Sequence, residues 1–492
     1  MESLREIIDR VLPLLSYDPQ APMLFSSGLF LFLFAAFAFF YGFMRRTPAL
    51  RIWYVIAFSL YFYYKSSGIY LLLLVGVSVS DFWIGRAIAH VGSRRAQRAL
   101  VALSIAADLA VLGYFKYTNF FIEIARDLFG AGFLEFQNIF LPVGISFFLF
   151  QSLSYTIDIY RGSLKPVDRW GDYLFYLSFF PQLVAGPIVR ARDFLVQIRQ
   201  NPITVSREMF GTGIYLIAIG LFKKAVISDY ISLNFVDRIF DDPALYSGME
   251  CLAAVYGYAL QIYCDFSGYS DMAIGLGRVF GFRLPENFQY PYVSRSATEF
   301  WRRWHMTLSF WFRDYVYIPL GGNRCARRRQ IANLLVVWLL TGLWHGAAWT
   351  FVVWGLYYAA VLMGEKFLWG RSLERLPAAL RHIYAMVIIT VGWVFFRAAD
   401  LGQAGQMLGA MFGAAPGGVW SGEGEYYLRQ YAWEIAVAVP AALPVCRVLR
   451  DRLDGHRALV LWTPKLLAGA LLGLSAVRLL SSTFRSFLYF QF

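Results

Sequence analysis

The sequence predicts an all-α, polytopic membrane protein. Hydrophobic residues fill 58% of its 492 positions and charged residues only 16%, an apolar excess beyond that of an ordinary soluble domain. Runs such as 23–44 (MLFSSGLFLFLFAAFAFFYGFM), 68–85 (GIYLLLLVGVSVSDFWIG) and 466–480 (LLAGALLGLSAVRLL) approach or reach the roughly 20 residues with which a helix crosses a hydrocarbon core. These runs lack period-2 alternation, so helices are predicted over a barrel, the other structure that satisfies its backbone groups in lipid.

Residues 1–22 read as an amphipathic lead-in. Glu2, Glu6 and Asp9 deny it the basic start of a signal peptide, and no small-residue cleavage site follows, so the first span is expected to be retained. Loop charges then thread the chain. Arg45, Arg46 and Arg51 follow the first span, Lys65 stands alone after the second, and Arg86, Arg94, Arg95 and Arg98 follow the third. A mixed loop comes next, and Arg161, Lys165 and Arg169 follow the fifth span. On the positive-inside rule the N-terminus lies outside. Counting back from the other end, Arg447, Arg450, Arg452 and Arg457 are inside, 397–431 is outside, and Arg371, Arg375 and Arg381 are inside. The net charge of +13 is explained by this topology and by anionic lipid headgroups, without nucleic acid.

The middle of the chain is less regular. FFPQLVAGPIVR (179–190) and YIPLGGN (317–323) are apolar but broken by Pro and Gly, and such breaks survive at membrane depth only where protein or a water-filled cavity satisfies the freed backbone. Re-entrant segments are expected there. With no repeat and no linker, residues 1–492 are read as a single domain, with 401–431 as an extracytoplasmic loop. Cys251, Cys264, Cys325 and Cys446 are far apart and lack CxxC spacing, which argues against a zinc site or a disulfide framework.

The densest polar chemistry lies in 299–346, which holds His305 and His345. NRCARRR reads as a cytoplasmic turn, because Arg324, Arg327, Arg328 and Arg329 would be costly deeper in the membrane. Its centre near residue 326 lies 21 positions after His305 and 19 before His345, so two nearly equal arms bring both imidazoles to a similar depth. Histidine can take and return a proton near neutral pH. Alternatively, His345 hydrogen-bonds a neighbouring helix, and His305, among Arg302, Arg303, Arg313 and Asp314, is interfacial.

Two further stretches carry polar groups. In 261–277 (QIYCDFSGYSDMAIGLG), Asp265 and Asp271 interrupt a helical pattern, and Ser267 shares a face with Asp271. These aspartates are expected to pair with buried arginines or to line a polar passage, and no metal site is assigned. In 141–162, Gln151, Ser152, Ser154, Tyr155 and Asp158 form a polar stripe that could line the same chamber. A GxSxG elbow and a GxxxxGK[ST] loop are both missing from the sequence, which removes a serine hydrolase and ATP-driven transport from consideration.

LPVGISFFLFQSLSYTIDIYRG, FFPQLVAGPIVR, YCDFSGYSDMAIGLGRVFGFRLPENFQYPY, FWRRWHMTLSFWFRDYVYIPLGGNR and TGLWHGAAWTFVVWGLYY, in that order over 141–359, resemble the membrane-bound O-acyltransferases. Within them they resemble the bacterial polysaccharide branch. The resemblance implies a ring of about 11–14 transmembrane and re-entrant helices around a central funnel, with 141–359 as the catalytic core. It implies acyl transfer to a hydroxyl, with His345 of the WHG motif as base and His305 of the RRWHMTLS motif as its second histidine. For the alginate-like branch the donor is cytoplasmic acetyl-CoA, no cofactor is bound, and the acceptor lies outside an inner membrane.

On this reading Arg302, Arg303, Asn323 and the NRCARRR arginines attract the donor's phosphates. Trp301, Trp304 and Trp344 shape and dry the passage or anchor at the interface, and Asp265, Ser267, Asp271, Gln151 and Tyr155 belong to the substrate path. No large soluble domain is present to grip a polymer, so relay through an extracytoplasmic SGNH-type acetyltransferase within a polysaccharide complex is favoured. Acylation of lipid or protein and D-alanyl transfer to teichoic acid are the nearer alternatives. A glycan transporter or flippase is the more distant one, and it predicts repeated halves that are not seen.

Overall fold

A computed structural model describes residues 9, 12–200, 203–415, 417–445, 448 and 457–481. Most of the lead-in before Leu12, Cys446 and the arginines at 447, 450 and 452 lie outside these. The described residues form helices joined by turns, with no strand among them. Among the described residues four helical segments are long and apolar enough to cross a membrane: Pro48–His90, Arg94–Phe129, Arg207–Asp241 and Ala378–Arg397. The fold is therefore the all-helical membrane architecture expected from composition.

Contacts divide the chain into two compact units, Met1–Ile214 with Met272–Pro285, and Tyr215–Asp271 with Glu286–Phe492. The first contains α1 (Gly28–Met44), α2 (Pro48–Ser67), α3 (Leu71–His90), α4 (Arg94–Leu112), α5 (Thr118–Phe129), α6 (Ile145–Tyr160), α7 (Trp170–Ser178) and α8 (Ala191–Ile198). Pro48 starts α2, where its missing N–H is harmless. Gly68 ends it at φ +59°, where a side chain would also strike the Tyr17 ring.

The polar stripe on α6 is used inside this unit. Asp81 of α3 accepts hydrogen bonds from Ser104 of α4 at 2.8 Å and from Ser152 of α6, and Ser152 meets the Tyr173 hydroxyl at 2.7 Å. Tyr155 packs on Tyr173 with centroids 4.3 Å apart, and Gln151 is fully buried. Interhelical bonds of this kind hold helices together where lipid supplies no hydrophobic drive.

Arg51, expected as a loop charge, is instead wholly buried at the start of α2. Its guanidinium donates to the carbonyls of Ile198 at 2.7 Å and Gln200 at 3.0 Å, just where α8 ends. The negative end of a helix dipole stabilises a cation there. FFPQLVAGPIVR does break its helix, into a four-residue turn of helix over Phe180–Leu183, and it is buried almost throughout. Gln182 helps tie it down by donating to the Tyr176 carbonyl at 2.5 Å.

The second unit carries both histidines. Its elements include α10 (Gly248–Val279) as far as Asp271, α11 (Ala297–Arg303), α12 (Met306–Phe312), α13 (Arg327–His345), α14 (Trp349–Phe367) and α15 (Ala378–Arg397), with α9 (Arg207–Phe222), from Tyr215 onward, preceding α10. α16 (Leu401–Gly409) and α17 (Gly422–Gln430) occupy the stretch expected to be a loop. Asp400 and Ser421 start these helices by accepting from the N–H groups of Gln403 and Gly424, a capping pattern present in the sequence. α18 (Ala432–Ala442) and α19 (Arg457–Ser481) follow.

α13 and α14 approach closely, and glycine makes it possible. A methyl group at Gly342 would lie 2.3 Å from the Phe351 carbonyl oxygen, and one at Gly355 would lie 2.5 Å from that of Trp338. Small residues let membrane helices approach in this way. Gly355→Ala is expected to destabilise the protein by about 1–3 kcal/mol, measured as a lower melting temperature in detergent, and to displace His345 at the end of α13. An unchanged melting temperature would show that the pair can part without loss. α11 is held by α14: Glu365 accepts from the N–H groups of Ala297 at 2.7 Å and Thr298 at 2.8 Å, a carboxylate at a helix start.

Candidate active site

His345 is the last residue of α13, and Gly346 after it is extended, turning the chain toward α14. His305 lies between α11 and α12 with φ +43° and ψ +53°, a left-handed conformation that costs a non-glycine residue on the order of 1–3 kcal/mol. Two backbone bonds fix it there, from Gln289 N–H to the Arg303 carbonyl at 2.9 Å and from Met306 N–H to the Asn287 carbonyl at 3.0 Å. Both histidines are at least 97% buried. Their ring centroids are 6.5 Å apart, the juxtaposition that the matched arms led us to expect.

Aromatic rings enclose the pair. Trp344, Trp354 and Phe396 lie 5.0, 5.1 and 5.1 Å from His345; Phe266 and Trp344 lie 4.7 and 5.7 Å from His305. Edge-to-face rings at these distances stabilise one another and exclude water. A cavity of about 220 Å³ reaches both imidazoles, and its walls include Trp301, Arg302, Ser309, Arg313, Tyr317 and Thr341. Sequence reasoning missed Ser309 and Thr341; their signal is spacing, since each lies four positions from its site histidine.

The other candidates separate. Trp301 and Arg302 line the cavity, whereas Trp304 is buried behind it against Phe300 and Trp393 at 5.5 and 4.9 Å. All three tryptophans are buried within the protein. Arg303 is engaged with Glu299 at 2.9 Å. Asn323 accepts from the Tyr317 hydroxyl at 2.8 Å and the Lys366 ammonium at 2.6 Å. Arg327, Arg328 and Arg329 form the first turn of α13 and are exposed; Arg327 covers the Phe367 ring at 4.9 Å. A helix therefore begins within the expected turn.

Asp265 and Asp271 do pair with buried cations, but these are lysines. Lys224 lies 2.5 Å from Asp229 and 2.6 Å from Asp265, and Lys223 lies 2.8 Å from Asp271 and 3.4 Å from the Ser267 hydroxyl. Lys223 and Lys224 sit in a π-helical stretch after α9. Tyr155 accepts from the Val167 N–H at 3.2 Å inside the first unit, where the buried Gln151 amide has no hydrogen-bond partner among the described residues. Among the described residues no group of three or more His, Cys, Asp or Glu comes together as a metal site.

A polytopic helical protein with two facing histidines in an aromatic-walled cavity is equipped for proton transfer in a dry interior, and comparison with known proteins supplies the family. Residues 170–396 match the family model for membrane-bound O-acyltransferases. The chain is 41% identical over 398 residues to a protein named probable alginate O-acetylase from Azotobacter vinelandii, covering 79% of this chain and 78% of that one. It is 35% identical to a peptidoglycan O-acetyltransferase of Helicobacter pylori, with 80% of each covered. It is also 32% identical to a teichoic acid D-alanyltransferase of Bacillus subtilis over 52% of this chain and 67% of that one. The chain belongs to the membrane-bound O-acyltransferase family, and it is a membrane acyltransferase.

Proposed function

We propose that the protein takes an acetyl group from cytoplasmic acetyl-CoA and delivers it across the bacterial inner membrane for O-acetylation of an extracytoplasmic polysaccharide such as alginate. Delivery runs through an extracytoplasmic SGNH-type acetyltransferase, and the N-terminus lies outside. The carrying observation is the cavity that joins Arg302 and Arg313 to both histidines. The guanidinium groups suit the phosphates of CoA, and the tryptophan walls suit an acetyl thioester. Relatives named for acetyl transfer cover about four fifths of the chain and the D-alanyl relative about half, which favours acetyl.

In this mechanism His305 and His345 handle one proton between them. The acceptor hydroxyl loses its proton to an imidazole as its oxygen attacks the thioester carbonyl. The C–S bond then breaks, and the thiolate recovers the proton. The rings around the pair exclude the water that would hydrolyse the thioester.

Proteoliposomes given labelled acetyl-CoA test the reading. Label should reach polysaccharide only when the SGNH-type protein is present on the opposite side. Labelling at full rate without that partner would overturn the relay, and no transfer from acetyl-CoA would overturn the donor. Transfer should also fall as pH drops through the histidine range, because a protonated imidazole cannot accept a proton.

A further inference from the structure

Asn287 lies in the PENFQYPY segment, in its part outside any helix, and is wholly buried, and its side chain faces His305. Its Oδ1 accepts from the Thr307 backbone N–H at 3.2 Å and from the Thr307 hydroxyl at 2.9 Å. A backbone N–H can only donate, so the amide atom it meets is oxygen. That same oxygen is 3.1 Å from His305 Nδ1. Facing an acceptor, Nδ1 must carry the proton, which leaves the lone pair of a neutral ring on Nε2. The Nε2 atom is buried and has no hydrogen-bond partner among the described residues, while His305 forms part of the cavity wall. An unmet buried acceptor costs about 1–3 kcal/mol, and this one adds to the strain of a left-handed backbone. Groups kept in that condition are characteristic of reactive sites.

We propose that Asn287 is a positioning residue for acyl transfer, holding His305 as the Nδ1–H tautomer so that an unprotonated Nε2 faces the cavity as a proton acceptor. The inference rests on the acyl-transfer reading above. The hydroxyl O–H bond breaks with its proton passing to Nε2, an O–C bond forms at the thioester carbonyl, the C–S bond breaks, and the thiolate takes the proton from Nε2. The products are an ester and a thiol, with His305 restored. The ring spacing of 6.5 Å suits this, since two contacts of about 2.8 Å meeting at one oxygen would bridge such a pair.

The titratable and charged groups around His305 are His345 on α13, Arg302 on α11 and Arg313 after α12, the last paired with Asp314 at 2.6 Å. α10 presents Phe266 to the ring and Ser270 to Asn287, and its Asp265 and Asp271 are held by Lys224 and Lys223.

Acetyl transfer by the full-length protein in proteoliposomes, measured across pH for Asn287→Ala and Asn287→Asp, tests the proposal. Asn287→Ala is expected to lower kcat about 10- to 100-fold with the KM for acetyl-CoA little changed. Asn287→Asp keeps the acceptor and should recover most of kcat. Its carboxylate favours the imidazolium, so the neutral base is lost at higher pH and the acidic limb of the kcat profile moves upward. Full kcat in Asn287→Ala, or equal losses in both variants with an unmoved limb, would overturn it. A wild-type protein inactive with acetyl-CoA would instead sink the acyl-transfer reading. Nitrogen-15 spectra of histidine-labelled wild-type protein, with His305 assigned by its disappearance in His305→Asn, need no folded Asn287 variant. A proton on Nδ1 supports the proposal, and one on Nε2 ends it.

Discussion

Replacing His345 by alanine is expected to lower acetyl transfer on the order of 10²- to 10⁴-fold, the span that removal of a positioned acid–base group produces, with the protein still inserted in the membrane. His345 ends α13 with Trp344, Trp354 and Phe396 around its ring. Alanine would therefore leave a void as well as remove the second imidazole of the pair. His345→Gln separates these effects, because it keeps polar bulk without a titratable nitrogen at neutral pH. Initial rates with labelled acetyl-CoA, normalised to protein extracted from membranes, should be low for both variants. Normal rates in His345→Gln would make the imidazole a packing element and remove it from the chemistry.

The histidine pair was legible because it depends on spacing along the chain. An arginine cluster cannot sit deep in lipid, and residues at similar distances on either side return to similar depths. The short helices α11 and α12 and the left-handed turn at His305 were not legible, yet the symmetry of the arms survived them. What sequence could not supply were partners from distant segments. Arg51 has the charge of a loop residue, but carbonyls about 150 positions away bury it. Asn287 is one amide in a coil, and its meaning comes from two donors 20 positions on and one ring nitrogen 18 positions on. Gln151 and Tyr155 stand in a polar stripe that the sequence shows, but periodicity does not say which neighbours receive such a stripe. α16 and α17 were legible in principle: Asp400 and Ser421 carry capping signals that glycine-rich composition obscured.

Lys224→Met should destabilise the second unit by about 3–5 kcal/mol, the usual consequence of removing one member of a buried ionic cluster. Lys224 is 4% exposed and stands between Asp229 and Asp265, and Asp265 is 1% exposed. The two carboxylates would then face one another without their shared cation, where neither water nor lipid can solvate them. Methionine matches the length and volume of the lysine stem, so the loss is electrostatic and not one of packing. A lower melting temperature in detergent, with reduced yield from membranes, is the expected result. Adding Asp229→Asn and Asp265→Asn to Lys224→Met should restore most of the loss, because neutral amides carry no uncompensated charge. The rescue also bears on function, since α10 carries Asp265 beside Phe266, the ring against His305. If the triple variant melts normally and transfers acetyl, the cluster serves to hold α10 in register with the lysine segment. If it melts normally and remains inactive, the charges act on the reaction itself. A parental melting temperature in Lys224→Met alone would mean that the aspartates find protons or other partners without it.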